Sequence, residues 1–359
     1  MSERAAVNSQ KTIRRRVQIV GGNTVTVSLP RTWADRNRLG RDPGEEQEVA
    51  MRYMADGSLL LSPANTTQAH IERIREHRIT PQNSIDRIKR TIIGDFMGGI
   101  DVIKMRTKAD LDMELVHQIR DFVDKRLLGF DLIEGPSGFD IINMTQSPKF
   151  AVDRLLEIIR VQSTQMMQKC YTWLLDESVD RKALYRELFF LESSLDKRSN
   201  QMIRTLQLSI LDYWMAENVG LPMAEILYWS TTTKAAENAA DLMVAISEIA
   251  TTIDPSTIEQ AVREEMNNLG ELVTNLFSTA LRSFIENDFE AAHQVMEEHD
   301  MLSAKTQKKW PITEFRALGG NMILLLRHME KISVYARKIA EATIDCEAAR
   351  VAYNSHDFD

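Results

Sequence analysis

Lys234-Ala235-Ala236-Glu237-Asn238-Ala239-Ala240-Asp241 carries the pattern on which the architecture of this chain turns. Two acids four residues apart share one face of a helix. Their neighbours are small and apolar, so the acids interrupt a stripe that otherwise reads as buried. The first four residues line up with Arg327-His328-Met329-Glu330, and each block is followed by a further small or apolar stripe. That self-similarity points to a tandem repeat of helical units.

Around this stretch, hydrophobicity recurs with a helical period from Ser147 onwards. Helices are expected near 148–176, 181–215, 222–252, 256–286, 289–308 and 312–345, with Asp254-Pro255 opening the fourth and Asp288 capping the fifth. Six helices in two sets of three predict tandem antiparallel three-helix bundles, over 147–254 and 255–345, followed by a tail at 346–359. Glycine supports the boundary: eleven of the fifteen lie before residue 139, so the front of the chain is turn-rich and the back helical.

Residues 66–146 read as a small α/β module of order αβαββ. A helix at Ser84–Asp95 leads to a strand at Asp101–Met105, then a helix at Leu111–Lys125. Strands at Gly129–Glu134 and Phe139–Met144 pair around Gly135-Pro136-Ser137-Gly138. The module has no phosphate loop and no nucleophile elbow. No spacing anywhere suggests a nucleophile with its base, and the chain is read as a non-enzyme.

At the front, residues 13–65 read as two β-hairpins. Val25, Val27 and Leu29 alternate with Thr24, Thr26 and Ser28, Gly21-Gly22-Asn23 supplies a tight turn, and Arg31–Asn37 can form one short helix. A second hairpin turns at Asp56-Gly57. Four short strands bury too little surface to stand alone, so dimerisation is expected. Residues 1–12 are expected to be a disordered basic arm. Residues 1–41 hold nine Lys/Arg against two acids, while the whole chain of 359 residues carries −8. A basic head on an acidic body predicts a polyanion partner, with nucleic acid the first choice. A two-stranded ribbon fits a major groove. Arg14, Arg16 and Arg31 are assigned chiefly to phosphates, and Asn23 or Arg15 to bases. Arginines ahead of a strand also serve as a solvated edge that resists aggregation, and charge alone leaves both readings open.

The bulk numbers fit a chain of several ordinary globular domains, at 43% hydrophobic and 27% charged. Two distant cysteines, Cys170 and Cys346, form no disulfide framework and no thiolate metal site, as in a reducing compartment. No 18-residue apolar run occurs, so no membrane insertion is expected and the chain is read as cytoplasmic. The seven histidines read as surface or core singles. Two acid pairs have helical spacing: Glu192 with Asp196, and Glu237 with Asp241. If their faces meet, four carboxylates converge, which calls for a hard or borderline cation such as Mg²⁺, Mn²⁺ or iron. Acids at that spacing also decorate solvated helix faces, and spacing alone does not choose.

Residues 149–345 resemble a PhoU domain pair, the tandem three-helix-bundle family of phosphate-uptake regulators. The resemblance rests on Leu191-Glu192-Ser193-Ser194-Leu195-Asp196, on the stretch 234–241, and on Arg327-His328-Met329-Glu330-Lys331-Ile332 with Ile339-Ala340-Glu341. It implies metal binding at the E-x-x-x-D motifs, with Glu192, Asp196, Glu237 and Asp241 holding a divalent metal or iron in the first bundle. In the second bundle Val334 and Tyr335 stand where the family has Asp and His, leaving Asp300 and Glu330 as remnants of a site. Residues 13–62 resemble the SpoVT/AbrB-like swapped-hairpin family of dimeric DNA-binding domains, through the Gly-Gly-Asn turn, Leu29-Pro30-Arg31-Thr32-Trp33, Leu39-Gly40 and Asp56-Gly57-Ser58-Leu59-Leu60-Leu61. Gly40–Glu46 looks like a small insertion. The order of parts resembles that of archaeal PhoU-related transcription regulators. The implied whole is an α+β multidomain, mainly α protein: a swapped-hairpin barrel, a small α/β module and tandem bundles. The implied function is a homodimeric DNA-binding regulator of phosphate uptake or homeostasis. The alternative is an adaptor for a phosphate transporter or sensor kinase, with the head only dimerising.

Overall fold

The computed structural model describes residues 13–37, 39–40, 47–54, 57–64, 72–108, 112–135, 137–145, 152–172, 178–211, 213–254, 256, 258–309 and 320–354. The arm at 1–12, loop residues 41–46, the turn residue Asp56 and the expected start of the sixth helix at 312 lie outside them. Helix dominates, with small sheets near the front. The chain parts into two compact units between residues 71 and 72.

The first unit contains β1 (Val17–Val20), β2 (Thr24–Val27), α1 (Arg31–Arg36), β3 (Val49–Tyr53) and β4 (Leu59–Pro63). Gly21 and Gly22 take φ of +64° and +94°, which the Cβ of other residues disfavours. That turn sets the antiparallel register Val17↔Val27 and Ile19↔Val25. Val17, Ile19, Val25 and Val27 thus share one apolar face, and it is open, with Ile19 73% exposed. In the second hairpin Met51 pairs with Leu61 and Tyr53 with Leu59. Tyr53 is 79% exposed. The two hairpins form separate two-stranded sheets within the chain.

The second unit begins with a four-stranded sheet of order β5-β6-β8-β7, from β5 (Ile74–Arg78), β6 (Val102–Arg106), β7 (Phe130–Gly135) and β8 (Gly138–Asn143). Two helices, α2 (Ile85–Met97) and α3 (Met113–Arg126), complete it. Ile88, Ile92 and Phe96 of α2 and Val116, Ile119 and Val123 of α3 pack with Ile103, Met105, Leu132, Phe139 and Ile141 of the sheet. The expected order αβαββ is corrected to βαβαββ. The missed strand β5 is nearly all charged and has no hydrophobic alternation. It exists because its backbone pairs in parallel with β6, from Ile74↔Val102 to Arg78↔Arg106, as a charged edge. Ser84 and Asp112 cap α2 and α3 by accepting from Arg87 N and Glu114 N.

The helical body consists of α4 (Val152–Thr172), α5 (Arg181–Leu211), α6 (Tyr213–Val219), a 3₁₀ turn at Met223–Glu225, α7 (Ile226–Ala250), α8 (Gln260–Glu286), α9 (Phe289–Lys309) and α10 (Gly320–Asn354). Helices α4, α5 and α7 pack on one another, as do α8, α9 and α10. The two sets join through α4 on α8 and α7 on α10, giving one continuous apolar core. At Gly270 a Cβ would lie 2.6 Å from the Tyr171 ring, so glycine lets α8 approach α4. Asp288 caps α9, accepting from Ala291 N at 3.0 Å. Asp254 instead closes a local turn onto Ser256, and α8 starts only at Gln260. The expected end at 345 is also corrected, because α10 runs on to Asn354. Cys346 is buried there, and Arg350 Nε bonds the buried Glu225 at 2.8 Å.

The α/β layer docks on α5, which explains why that helix buries Ser199, Asn200, Gln201 and Arg204 as well as apolar residues. Arg204 Nη1 donates to Phe96 O at 2.7 Å and Ile100 O at 2.8 Å, satisfying carbonyls at the end of α2, and Nη2 donates to Asp101 Oδ1 at 2.6 Å. Its guanidinium lies over the Phe96 and Phe130 rings. Burial pushes its pKa down to about 10 against the upward pull of Asp101, so it stays charged at neutral pH. Arg204→Ala strips a buried carboxylate of its guanidinium, and we expect a loss of about 3–5 kcal/mol in urea unfolding. A loss under about 1 kcal/mol would mean that the docking is held elsewhere.

Candidate metal centre

Glu192 and Asp196 project from successive turns of α5, and Asp241 from α7, which packs against it. The stripe Ala235, Ala236, Ala239, Ala240 and Met243 is buried, which brings α7 close to its neighbours. Glu237 and Asp241 fall on the flank of that stripe, half-buried and exposed respectively. Carboxylate oxygens of Glu192, Asp196 and Asp241 lie within 4.8 Å of one another, the one such acidic group found among the described residues. Glu192 and Asp196 are buried, so the cluster has a dry floor on α5 and opens to solvent at Asp241.

A cation already reaches this site from the α/β layer. Arg126, in the last turn of α3, places Nη1 3.7 Å from Glu192 Oε1 and in direct contact with Asp196 Oδ2. The other Asp196 oxygen, Oδ1, is buried with no hydrogen-bond partner. Glu237 stands apart from the three-carboxylate group, bonded by Lys234 Nζ at 2.5 Å. The predicted set of four is therefore corrected to three converging acids, with Glu237 as a charged neighbour.

The electrostatics follow. Burial raises the Glu192 carboxyl above its ordinary value; Arg126 opposes this, Asp241 and Glu237 reinforce it, and a bond from Ser193 Oγ opposes it. Asp241 is raised by partial desolvation and then by Glu237, against Arg126 and Lys234. Glu237 and Lys234 cancel formally. Three carboxylates less one guanidinium then leave two negative charges in a partly dry site. An all-oxygen donor set, one orphaned buried oxygen and a surplus of negative charge even with Arg126 in place fit a hard divalent cation. When bound, such an ion would supply the missing positive charge, held by Glu192, Asp196 and Asp241.

The second set of helices does not repeat this. Asp300 pairs with Arg337 at 2.8 Å, an arginine it shares with Glu341 at 3.0 Å, and Glu330 pairs with Arg327 at 3.1 Å, so each acid is met by an arginine. Between them His299 is buried, its Nδ1 3.2 Å from Ser333 Oγ, and burial lowers its pKa. The bond between Arg327 and Glu330 mirrors that between Lys234 and Glu237, which accounts for the alignment of those two stretches.

In the first unit Arg14, Arg15 and Arg16 are exposed just ahead of β1, and Asn23 is exposed in the β1–β2 turn. Arg31 opens α1, with its Nε 3.1 Å from Asp35 Oδ1. Sequence reading missed Arg126. Its one signal is a basic residue ending a helix, which serves equally to offset the helix dipole.

The raised Glu192 carboxyl makes stability depend on pH. The folded chain holds that proton more tightly than the unfolded one. The cost is therefore fully present above the folded pKa, relieved as pH falls through it, and gone below the ordinary value of 4.5. In chelator-treated protein, Glu192→Gln should raise the urea midpoint most at pH 7, with the gain shrinking towards pH 4.5. A variant less stable than wild type by the same amount at both pH values would contradict this balance.

Compared with known proteins, the chain matches no family model, no curated protein and no solved structure.

Proposed function

We propose that the chain is a cytoplasmic, homodimeric DNA-binding regulator of phosphate uptake or homeostasis. In this reading its helical body senses a divalent cation, phosphate status or a partner protein. The observation that carries it is the state of the first unit. Two hairpins each offer an open apolar face, from Val17 to Val27 and from Met51 to Leu61, and the exposed run Arg14–Arg16 leads directly into the first of them. Strands of four and five residues cannot bury such faces by themselves. A second copy of the chain closes them and doubles the basic cluster, as the swapped-hairpin barrel requires. Paired basic ribbons then suit a duplex read by two equal half-sites.

The body supplies the second half of the reading. A cation at Glu192, Asp196 and Asp241 is the effector that the surplus charge supports. If cation and DNA favour different arrangements of the protein, each weakens binding of the other by the same free energy, and if they favour the same one each strengthens it. No described helix is long and apolar enough to cross a membrane.

One observation favours the alternative, an adaptor for a phosphate transporter or sensor kinase. Phe189 and Phe190 on α5 are 52% and 72% exposed, an aromatic pair of the kind that anchors protein partners.

Titration of the full chain onto its own upstream DNA and onto random duplex separates the two readings. The regulator binds its own sequence far more tightly at moderate salt. Equal binding to both, or none, favours the adaptor. Arg14→Ala and Arg16→Ala should each weaken binding to all sequences, lowering the slope of log affinity against log salt by roughly one per lost phosphate contact.

A further inference from the structure

The carboxylate cluster meets its nearest cation within the chain, and that cation comes from a different layer of the fold. Arg126 belongs to α3, whereas the carboxylates belong to α5 and α7. The end of α3 has a second polar tie to the same stretch of α5, where Lys197 Nζ donates to Asp124 O at 2.5 Å. Seven residues beyond Lys197 on α5, Arg204 anchors the end of α2 through Asp101, Phe96 and Ile100. The two attachments differ in kind. Arg204 is closed in by aromatic rings and backbone carbonyls, whereas Arg126 lies at the edge of a solvent-open cluster with 28% of its side chain exposed.

We propose that Arg126 is an internal counter-ion which a divalent cation must displace, so that occupancy of the Glu192–Asp196–Asp241 site is exchanged against docking of the last turn of α3. This rests on the reading of the cluster as a divalent-cation site. The competition is geometric and electrostatic. A bound cation sits about 2.0–2.6 Å from carboxylate oxygens. Asp196 Oδ2 and Glu192 Oε1 are the oxygens nearest the guanidinium, and two positive ions cannot share one oxygen at contact distance without strong repulsion. Asp196 Oδ1, buried and unbonded, offers a cation its first foothold while Arg126 is still in place. Once the Arg126 side chain turns to solvent, the last turn of α3 loses this tie to α5 and its backbone hydrogen bonds open more readily. Leu127, fully buried behind it, and the Arg204 anchor hold the rest of the layer in place. The movement is thus confined to the final turn of α3, and the cation signal passes from the bundle to the α/β layer through that turn.

The full chain, its Arg126→Gln variant and its Arg126→Lys variant are titrated with Mn²⁺, and free Mn²⁺ is read by electron paramagnetic resonance. Hydrogen exchange is followed with and without the ion. Arg126→Gln should bind Mn²⁺ about tenfold more tightly, within the usual range of site-to-site coupling, while Arg126→Lys stays near wild type. In wild type, Mn²⁺ should speed exchange over residues 121–127 and leave 85–97 unchanged. Equal affinities in wild type and Arg126→Gln, or Mn²⁺ bound with no change over 121–127, would overturn the displacement while leaving the cation site standing. Mn²⁺ bound by none of the three proteins would overturn both. If Arg126→Gln does not fold, the exchange measurement on wild type decides.

Discussion

Like charges gathered in a partly dry place repel one another, and the second unit is organised around one such place. The buried alanine stripe of α7 brings that helix against its neighbours and carries Asp241 to Glu192 and Asp196 on α5. Burial withholds the water that would otherwise screen these carboxylates, so their charge has to be met by cations. Arg126 meets part of it, and Lys234 meets that of Glu237. The two charges left over, together with the orphaned oxygen of Asp196, define what is missing. The docking of α3 and the affinity of the site for an ion are thus two aspects of one charge balance.

The α/β layer gains a role from this arrangement. Its hydrophobic core is self-contained, and its attachment to α5 combines polar ties at Arg204 and Arg126 with the packing of Leu208 against Gly99. Arg204 supplies a permanent joint, because its guanidinium bonds the Phe96 and Ile100 carbonyls and pairs with the buried Asp101. Arg126 supplies a joint whose strength depends on what else occupies the carboxylates. A layer pinned firmly at one helix and conditionally at another can report on the bundle without being rebuilt.

Much of this was legible in the sequence, and the failures have physical causes. The 3.6-residue period, the glycine distribution and the Gly-Gly-Asn turn located the helices and hairpins, because those signals are local. The helical spacing of Glu192 with Asp196 and of Glu237 with Asp241 was legible, but spacing alone leaves open whether the two faces meet. Three features were not legible. Strand β5 carries charges rather than alternation and is held by its neighbour's backbone. The last part of α10 is fixed by Cys346 and by the bond of Arg350 to Glu225, a contact spanning 125 residues. Arg126 reaches the site through tertiary docking alone, and no spacing in a sequence encodes that. The pairing of Asp300 likewise depends on Arg337 of the neighbouring helix, whereas Glu330 pairs locally with Arg327 three residues before it.

Metal content measured by elemental analysis tests the central claim most directly. Wild-type chain and an Asp196→Asn/Asp241→Asn variant, purified side by side and dialysed against the same divalent cations, are compared. We expect roughly one tightly held divalent ion per wild-type chain and its loss from the variant. Equal metal content in the two proteins, or none in wild type, would contradict it.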